Sequence, residues 1–319
     1  MRVLVTGGSG YVGSALVPRL AKSHTVRVLE SMNFGNPIAD SPVEFIKGDI
    51  TDPETVWGAM RDIDAVIHLA GVVTDDLVDL NKDYGFKVNV EGTALLSETA
   101  SVQKVPVFIY ASSSSVYGTA ASENEKVTED VGPKPQTEYA RQKLLGESAI
   151  RGERTVIVRS ATCMGPAPRM RLDTVVNVFS KQAYFDGKIT VHGGEQYRSN
   201  VHVEDVASFY QRALETEISG TYNVTCDNMK VGQIAHEVAG AAVALNLPRP
   251  EVIIQDVPDP RSYRLDATKA RATGWFPTRS IWQAAADNFQ WFRDGGLTDP
   301  NSDLYYNTRR MKETVTRGR

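Results

Sequence analysis

Hydrophobic positions in the first half of the chain fall into short β-branched runs separated by stretches with helical spacing. Arg2 to Thr6 (RVLVT) is a continuous apolar run, the pattern of a strand buried on both faces. Behind it, Val12, Leu16, Val17 and Leu20 recur at helical intervals over Tyr11 to Lys22. Thr25 to Glu30 and Val43 to Ile46 read as strands, and Asp52 before Pro53 supplies the N-cap and first position of a short helix. Ala65 to Leu69 is a further strand, and Leu80 to Ser101 a long helix. Val107 to Ala111, a helix from Thr137 to Arg151 beginning near Pro135, and Thr155 to Arg159 complete the series. Strict alternation of this kind builds βαβ units with right-handed crossovers. The expected fold is α/β, a Rossmann-type doubly wound parallel sheet.

After about Gly165 the alternation stops. Segments rich in Gly and Pro (Met164 to Pro168, Gly193 to Gly194, Val257 to Pro260) separate shorter elements. The reading is a dinucleotide-binding domain over 1–165, rejoined by parts of 198–225, and a smaller substrate lobe made mainly of 166–319. The tail from Asp299 onward is polar and reads as an arm or a partly disordered end. A net charge of -4 gives no electrostatic reason to expect nucleic acid or an anionic membrane as partner. Two cysteines, Cys163 and Cys226, make no disulfide framework. With no secretory pattern at MRVLVTGGSG and no apolar run of roughly 20 residues, the expected location is cytoplasmic.

Four signals carry chemistry. The first is Thr6-Gly7-Gly8-Ser9-Gly10-Tyr11-Val12-Gly13 between the first strand and its helix. Gly7 permits the tight turn, Gly10 lets backbone approach a pyrophosphate at the helix N-terminus, and Gly13 lets helix and strand pack closely. The second is Glu30, whose carboxylate at the end of the second strand can accept both adenosine ribose hydroxyls and repels a 2′-phosphate. NAD is therefore expected rather than NADP. Arg27, three residues back on an alternating strand, faces elsewhere.

The third signal is Tyr139-Ala-Arg-Gln-Lys143, which puts a phenol and an ammonium on one helix face. A free tyrosine keeps its proton to about pH 10, and a nearby cation lowers that by about 1–3 units. The fourth is the serine run Ala111-Ser-Ser-Ser-Ser-Val-Tyr-Gly118, leaving a strand at the sheet edge where ligands bind. Each of the last two patterns is common alone. In this order, behind the glycine turn, they reinforce one another.

The set resembles the extended short-chain dehydrogenases/reductases, in the nucleotide-sugar epimerase and dehydratase group. The resemblance takes in Gly48-Asp49-Ile50, His68-Leu69-Ala70-Gly71, Asn89-Val90-Glu91-Gly92-Thr93, Gly165-Pro166 and Arg198-Ser-Asn-Val-His202-Val-Glu-Asp205. It continues through Asp259-Pro-Arg261-Ser-Tyr263-Arg-Leu-Asp266 and Gly274-Trp275-Phe276-Pro277. It implies Ser113, Tyr139 and Lys143 as the catalytic group. It implies an NAD site of Gly7, Gly10, Tyr11, Val12, Glu30, Asp49, Ile50, Leu69, Ala70, Gly71 and Asn89, with Tyr139 and Lys143 at the nicotinamide end. Arg198 and Arg261 are implied to grip the sugar nucleotide's diphosphate, with Asn177 adding an amide, and Ser114 and Thr162 to line the sugar. The group's dimers pair the long helix and the Tyr139 helix in a four-helix bundle, so a homodimer is implied. No metal is expected.

Two departures refine this. The 4,6-dehydratases of the group carry an acidic pair directly after the catalytic hydroxyl, whereas Ser114 and Ser115 stand here. The segment before Gly165 commonly reads Asn-Val-Tyr, whereas here it is Thr162-Cys163-Met164. Cys163 reads as a small buried hydrophobe, with an acid/base role as the rival. The reading is an NAD-dependent 4-epimerase of an NDP-hexose acting through a 4-keto sugar. A 4-dehydrogenase or 4-ketoreductase uses the same residues, a dehydratase is disfavoured, and a non-catalytic NAD-binding regulator has no use for all three catalytic groups.

Overall fold

The computed structural model describes residues 1–118, 125–257 and 262–318. Its core is a seven-stranded parallel sheet. Strands β1 (Arg2–Thr6), β2 (Thr25–Glu30), β3 (Glu44–Lys47), β4 (Ala65–His68) and β5 (Val107–Ser113) are joined by Arg154–Ser160 and Gly220–Val224. The order across the sheet is Gly220–Val224, Arg154–Ser160, β5, β4, β1, β2, β3. Val3, Leu4, Val5, Val66 and Ile67 have no exposed surface, as strands covered on both faces require. Chain order reverses between β1 and β4, and the ends of those strands open the crevice where a ligand fits.

Helix α1 (Tyr11–Leu20) follows β1 directly, and α2 (Pro53–Ala59) starts at Asp52, whose carboxylate accepts from the Thr55 N–H. The expected long helix over 80–101 is corrected: it begins earlier and is broken. It runs as α3 (Asp75–Leu80), α4 (Lys82–Phe86), a π-turn (Lys87–Glu91) and α5 (Gly92–Val102). Asn81 is extended (φ -157°), and its side chain caps the next turn at Tyr84. The π-turn carries the buried Asn89. Helix α6 (Glu138–Ala149) is capped by Thr137 and carries Tyr139 and Lys143.

Beyond residue 160 the chain builds a lobe of small sheets. One pairs Thr162–Met164, Tyr197–His202 and Asp227–Lys230, and another pairs Lys188–His192 with Glu251–Gln255. The polar tail is not an arm. Asn307–Arg317 is a helix whose Met311 and Val315, four residues apart, share one buried face against the core. Average polarity hid that stripe. Among the described residues, no helix is long and apolar enough to cross a membrane.

Candidate active site

A crevice of about 1320 Å³ runs along the open ends of β1, β2, β4 and β5. Pockets for one drug-sized ligand hold roughly 300–1,000 Å³, so this space suits a dinucleotide with a second ligand beside it. Gly7, at φ +72°, leaves no room for a side chain: a Cβ would stand 2.7 Å from the Ala70 nitrogen. A Cβ on Gly13 would meet the Gly7 carbonyl oxygen at 2.4 Å. The strand end, the turn and α1 are therefore in direct contact, and Gly10 caps α1 without any side chain over its first N–H groups. That bare helix end faces the crevice beside Gly10, Tyr11 and Val12. The Ser9 hydroxyl in the turn is buried without a hydrogen-bond partner.

Glu30 lines the same space. Its carboxylate accepts from the Ser9 N–H at 3.1 Å, which ties it to the glycine turn. Arg27 points away, onto the Ala59 and Arg61 carbonyls and the Glu44 carboxylate. Asp49, Ile50, Leu69, Ala70 and Gly71 line the crevice wall. Asn89 does not. It is 1% exposed and works from behind, bracketing the Val72 backbone and donating to Gln142.

At the far end Ser113, Tyr139 and Lys143 come together. The Ser113 hydroxyl hydrogen-bonds Tyr139, which draws the phenol's pKa down, but burial dominates and pushes it up to about 12. Lys143 is 4% exposed, its ammonium 4.3 Å from the Tyr110 ring centroid. Burial pushes it down to about 7, against the pull of Glu147 one turn on. Glu147 holds Arg159 in a bidentate pair at 2.7 and 2.9 Å, and Arg159 donates to Tyr117. These groups fix the back of the helix that carries the phenol.

The remaining expected residues divide. Ser114, Thr162 and Arg198 line the crevice, and the Ser114 hydroxyl lies 3.1 Å from that of Tyr263. Arg261 lies outside the described residues. Asn177 is corrected: it has no exposed surface and does not reach the crevice. Its oxygen accepts from the Gly165 N–H and Asn288, and its nitrogen donates to Tyr11 and the Arg171 carbonyl. All four of its hydrogen-bonding positions are taken. Cys163 is half-buried, packed against the core at the crevice wall, and burial lifts its thiol to about 11, so it is protonated at neutral pH.

Two arginines escaped the sequence reading. Arg169 and Arg171 enter the crevice from the loop after Gly165. Arg171 pairs with Asp173 at 2.8 Å, and its charge lowers the pKa of Tyr139. The Arg-x-Arg-x-Asp spacing was the available signal, but nothing local says that this loop turns into the site.

The family model described as the NAD dependent epimerase/dehydratase family matches residues 3–225. UDP-glucose 4-epimerase of Mycolicibacterium smegmatis is 31% identical, over 92% of this chain and 99% of that protein. dTDP-glucose 4,6-dehydratase of Streptomyces niveus is 27% identical over 92% and 93%. The crystal structure of Thermus thermophilus UDP-glucose 4-epimerase with NAD superposes with a TM-score of 0.79 at 28% identity, covering 92% of this chain and 99% of that one.

Proposed function

The chain belongs to the NAD-dependent epimerase/dehydratase family, and within it we propose a 4-epimerase of an NDP-hexose working through a 4-keto sugar. The observation that carries this reading is one grouping: Ser113, Tyr139 and Lys143 share the crevice end, and hydroxyls occupy positions 114 and 115. Eliminating water across C5 and C6 needs an acid and a base beyond the phenol. Serines at those positions supply neither, while epimerisation requires neither.

The crevice fits NAD: a bare helix end for the diphosphate, Glu30 for the ribose, and no space at Gly7 or Gly13 for anything but hydrogen. Bound NAD would supply the hydride acceptor and donor for the sugar carbon and a positive charge beside the phenol. Tyr139 removes the proton of the C4 hydroxyl and gives it back when the ketone is reduced. Ser113 donates a hydrogen bond to that oxygen, a positioned-donor effect worth about 3 kcal/mol in typical enzymes. Lys143, on the same helix face, adds positive charge near the phenol in its protonated form, and the phenol's pKa must fall from about 12 to act near neutral pH. Arg198 meets the substrate's diphosphate with a guanidinium fork, and Thr162 and Ser114 face the sugar. A second copy would cover Phe86 and Leu145, large apolar side chains exposed on α4 and α6.

Purified protein incubated with a panel of UDP-, dTDP- and GDP-hexoses should convert at least one into its C4 epimer of unchanged mass. A product lighter by one water would replace this reading with dehydration. Absence of any product would favour a binding protein. Tyr139→Phe should lower turnover by about 100-fold or more.

A further inference from the structure

Arg169 lies among the most thoroughly buried cations of the chain, at 6% exposure, yet it lacks a carboxylate of its own. Its Nε has no hydrogen-bond partner, and one terminal nitrogen donates to the Asn307 side chain at 2.5 Å. The guanidinium carbon stands 3.8 Å from the centroid of the Phe34 ring, which also lines the crevice. The Arg169 backbone N–H donates to Ser14 Oγ at 3.0 Å, in the first turns of α1. The groups whose charge acts on Arg169 are Arg171 and Asp173 first, then Tyr11 and Glu30. The fork thus shares one crevice with Glu30 and with Gly7, Gly10 and Tyr11 of the glycine turn. A buried guanidinium with an unpaired N–H is costly unless an anion completes it.

We propose that Arg169 is a ligand of the NAD diphosphate, facing the bare N-terminus of α1 across the crevice. The tail helix holds it there. The Asn307 side chain accepts from the fork and its backbone N–H donates to the Asp173 carboxylate, while Arg310 donates to the Asn33 carbonyl beside Phe34. Asn307, Thr308, Met311 and Thr314 line the crevice themselves. The C-terminal helix is therefore part of the cofactor site. Burial pushes the guanidinium down to about 9, so it remains cationic at neutral pH for this task.

The test measures dissociation constants of NAD, ADP-ribose and adenosine for full-length protein and for Arg169→Met. Charge-assisted hydrogen bonds of this kind correspond to losses of about 10- to 100-fold. NAD and ADP-ribose should weaken by equal factors in that range, with adenosine unchanged within about two-fold of wild type. Unchanged NAD affinity would overturn the proposal, as would an equal loss for adenosine, which would make Arg169 a wall of the adenosine pocket. Should Arg169→Met fail to fold, Arg169→Lys and Asn307→Ala decide the matter. Both should weaken ADP-ribose selectively, and wild-type affinity in both would overturn it.

Discussion

The side chain of Asn89 and the backbone of Val72 exchange two hydrogen bonds, N–H to Oδ1 at 2.8 Å and Nδ2 to the carbonyl at 2.9 Å. A side-chain amide here mimics a strand partner for the segment leaving β4. It fixes Leu69, Ala70 and Gly71 against the crevice, and the Gly71 Cα faces it so closely that a Cβ would stand 2.9 Å from Asn89 Oδ1. Asn89→Ala should therefore destabilise the protein by about 2–3 kcal/mol through unpaired buried backbone groups. It should also weaken NAD without removing any NAD contact. Denaturant unfolding and NAD titration check both; unaltered NAD affinity would detach Asn89 from the site.

Lys143 makes a prediction with a definite sign. Its folded pKa of about 7 lies below the usual lysine value of 10.5, so between those limits the unfolded chain binds more protons. The burden on stability is complete below about pH 7, shrinks as pH rises, and is gone above 10.5. Lys143→Met should stabilise the NAD-free protein by roughly 1–3 kcal/mol near pH 6 while destroying activity. The gain should vanish by about pH 10.5, and thermal melts across pH read it directly.

His68 should behave oppositely to a surface histidine. It is fully buried between the Thr6 and Thr93 hydroxyls, and burial, then Lys143, drives its pKa down to about 3. The folded value lies below the unfolded 6.5, so its contribution is intact above about 6.5 and is lost as pH falls toward 3. Its imidazole NMR signals should not move between pH 8 and 5. Titration near 6.5 would contradict the buried neutral ring.

Glu147 and Arg159 are each 7% exposed and mutually bidentate, with Ser112 and Tyr117 attached to them. Removing one charge leaves the other buried and alone. Glu147→Gln or Arg159→Met should each cost about 3–5 kcal/mol, and the double replacement Glu147→Leu with Arg159→Met less than either. Unfolding free energies of the three variants check this ordering. Glu147→Gln should also lower the Lys143 pKa further, since Glu147 is the charge that raises it.

What could be read from the chain was what local spacing encodes. The glycine turn, Glu30 and the Tyr139–Lys143 pair each sit within a single strand–turn–helix or one helix face, so sequence distance fixes their geometry. Asn177 and Asn89 are ligand contacts only as the family resemblance implies them. The fold spends their amides on backbone groups brought near by distant segments. Arg169, Arg171 and the tail helix were missed for the same reason. Their places depend on contacts spanning more than 130 residues, such as Arg169 with Asn307. A count of polar residues in the tail could not reveal a two-residue apolar stripe at Met311 and Val315.

The central claim concerns where the hydride leaves and where it returns. NDP-hexoses carrying deuterium at C4, turned over in ordinary water, should yield the C4 epimer with the deuterium still on C4. Deuterium found at C6 of a 4-keto-6-deoxy product, or washed out of the sugar altogether, would contradict it.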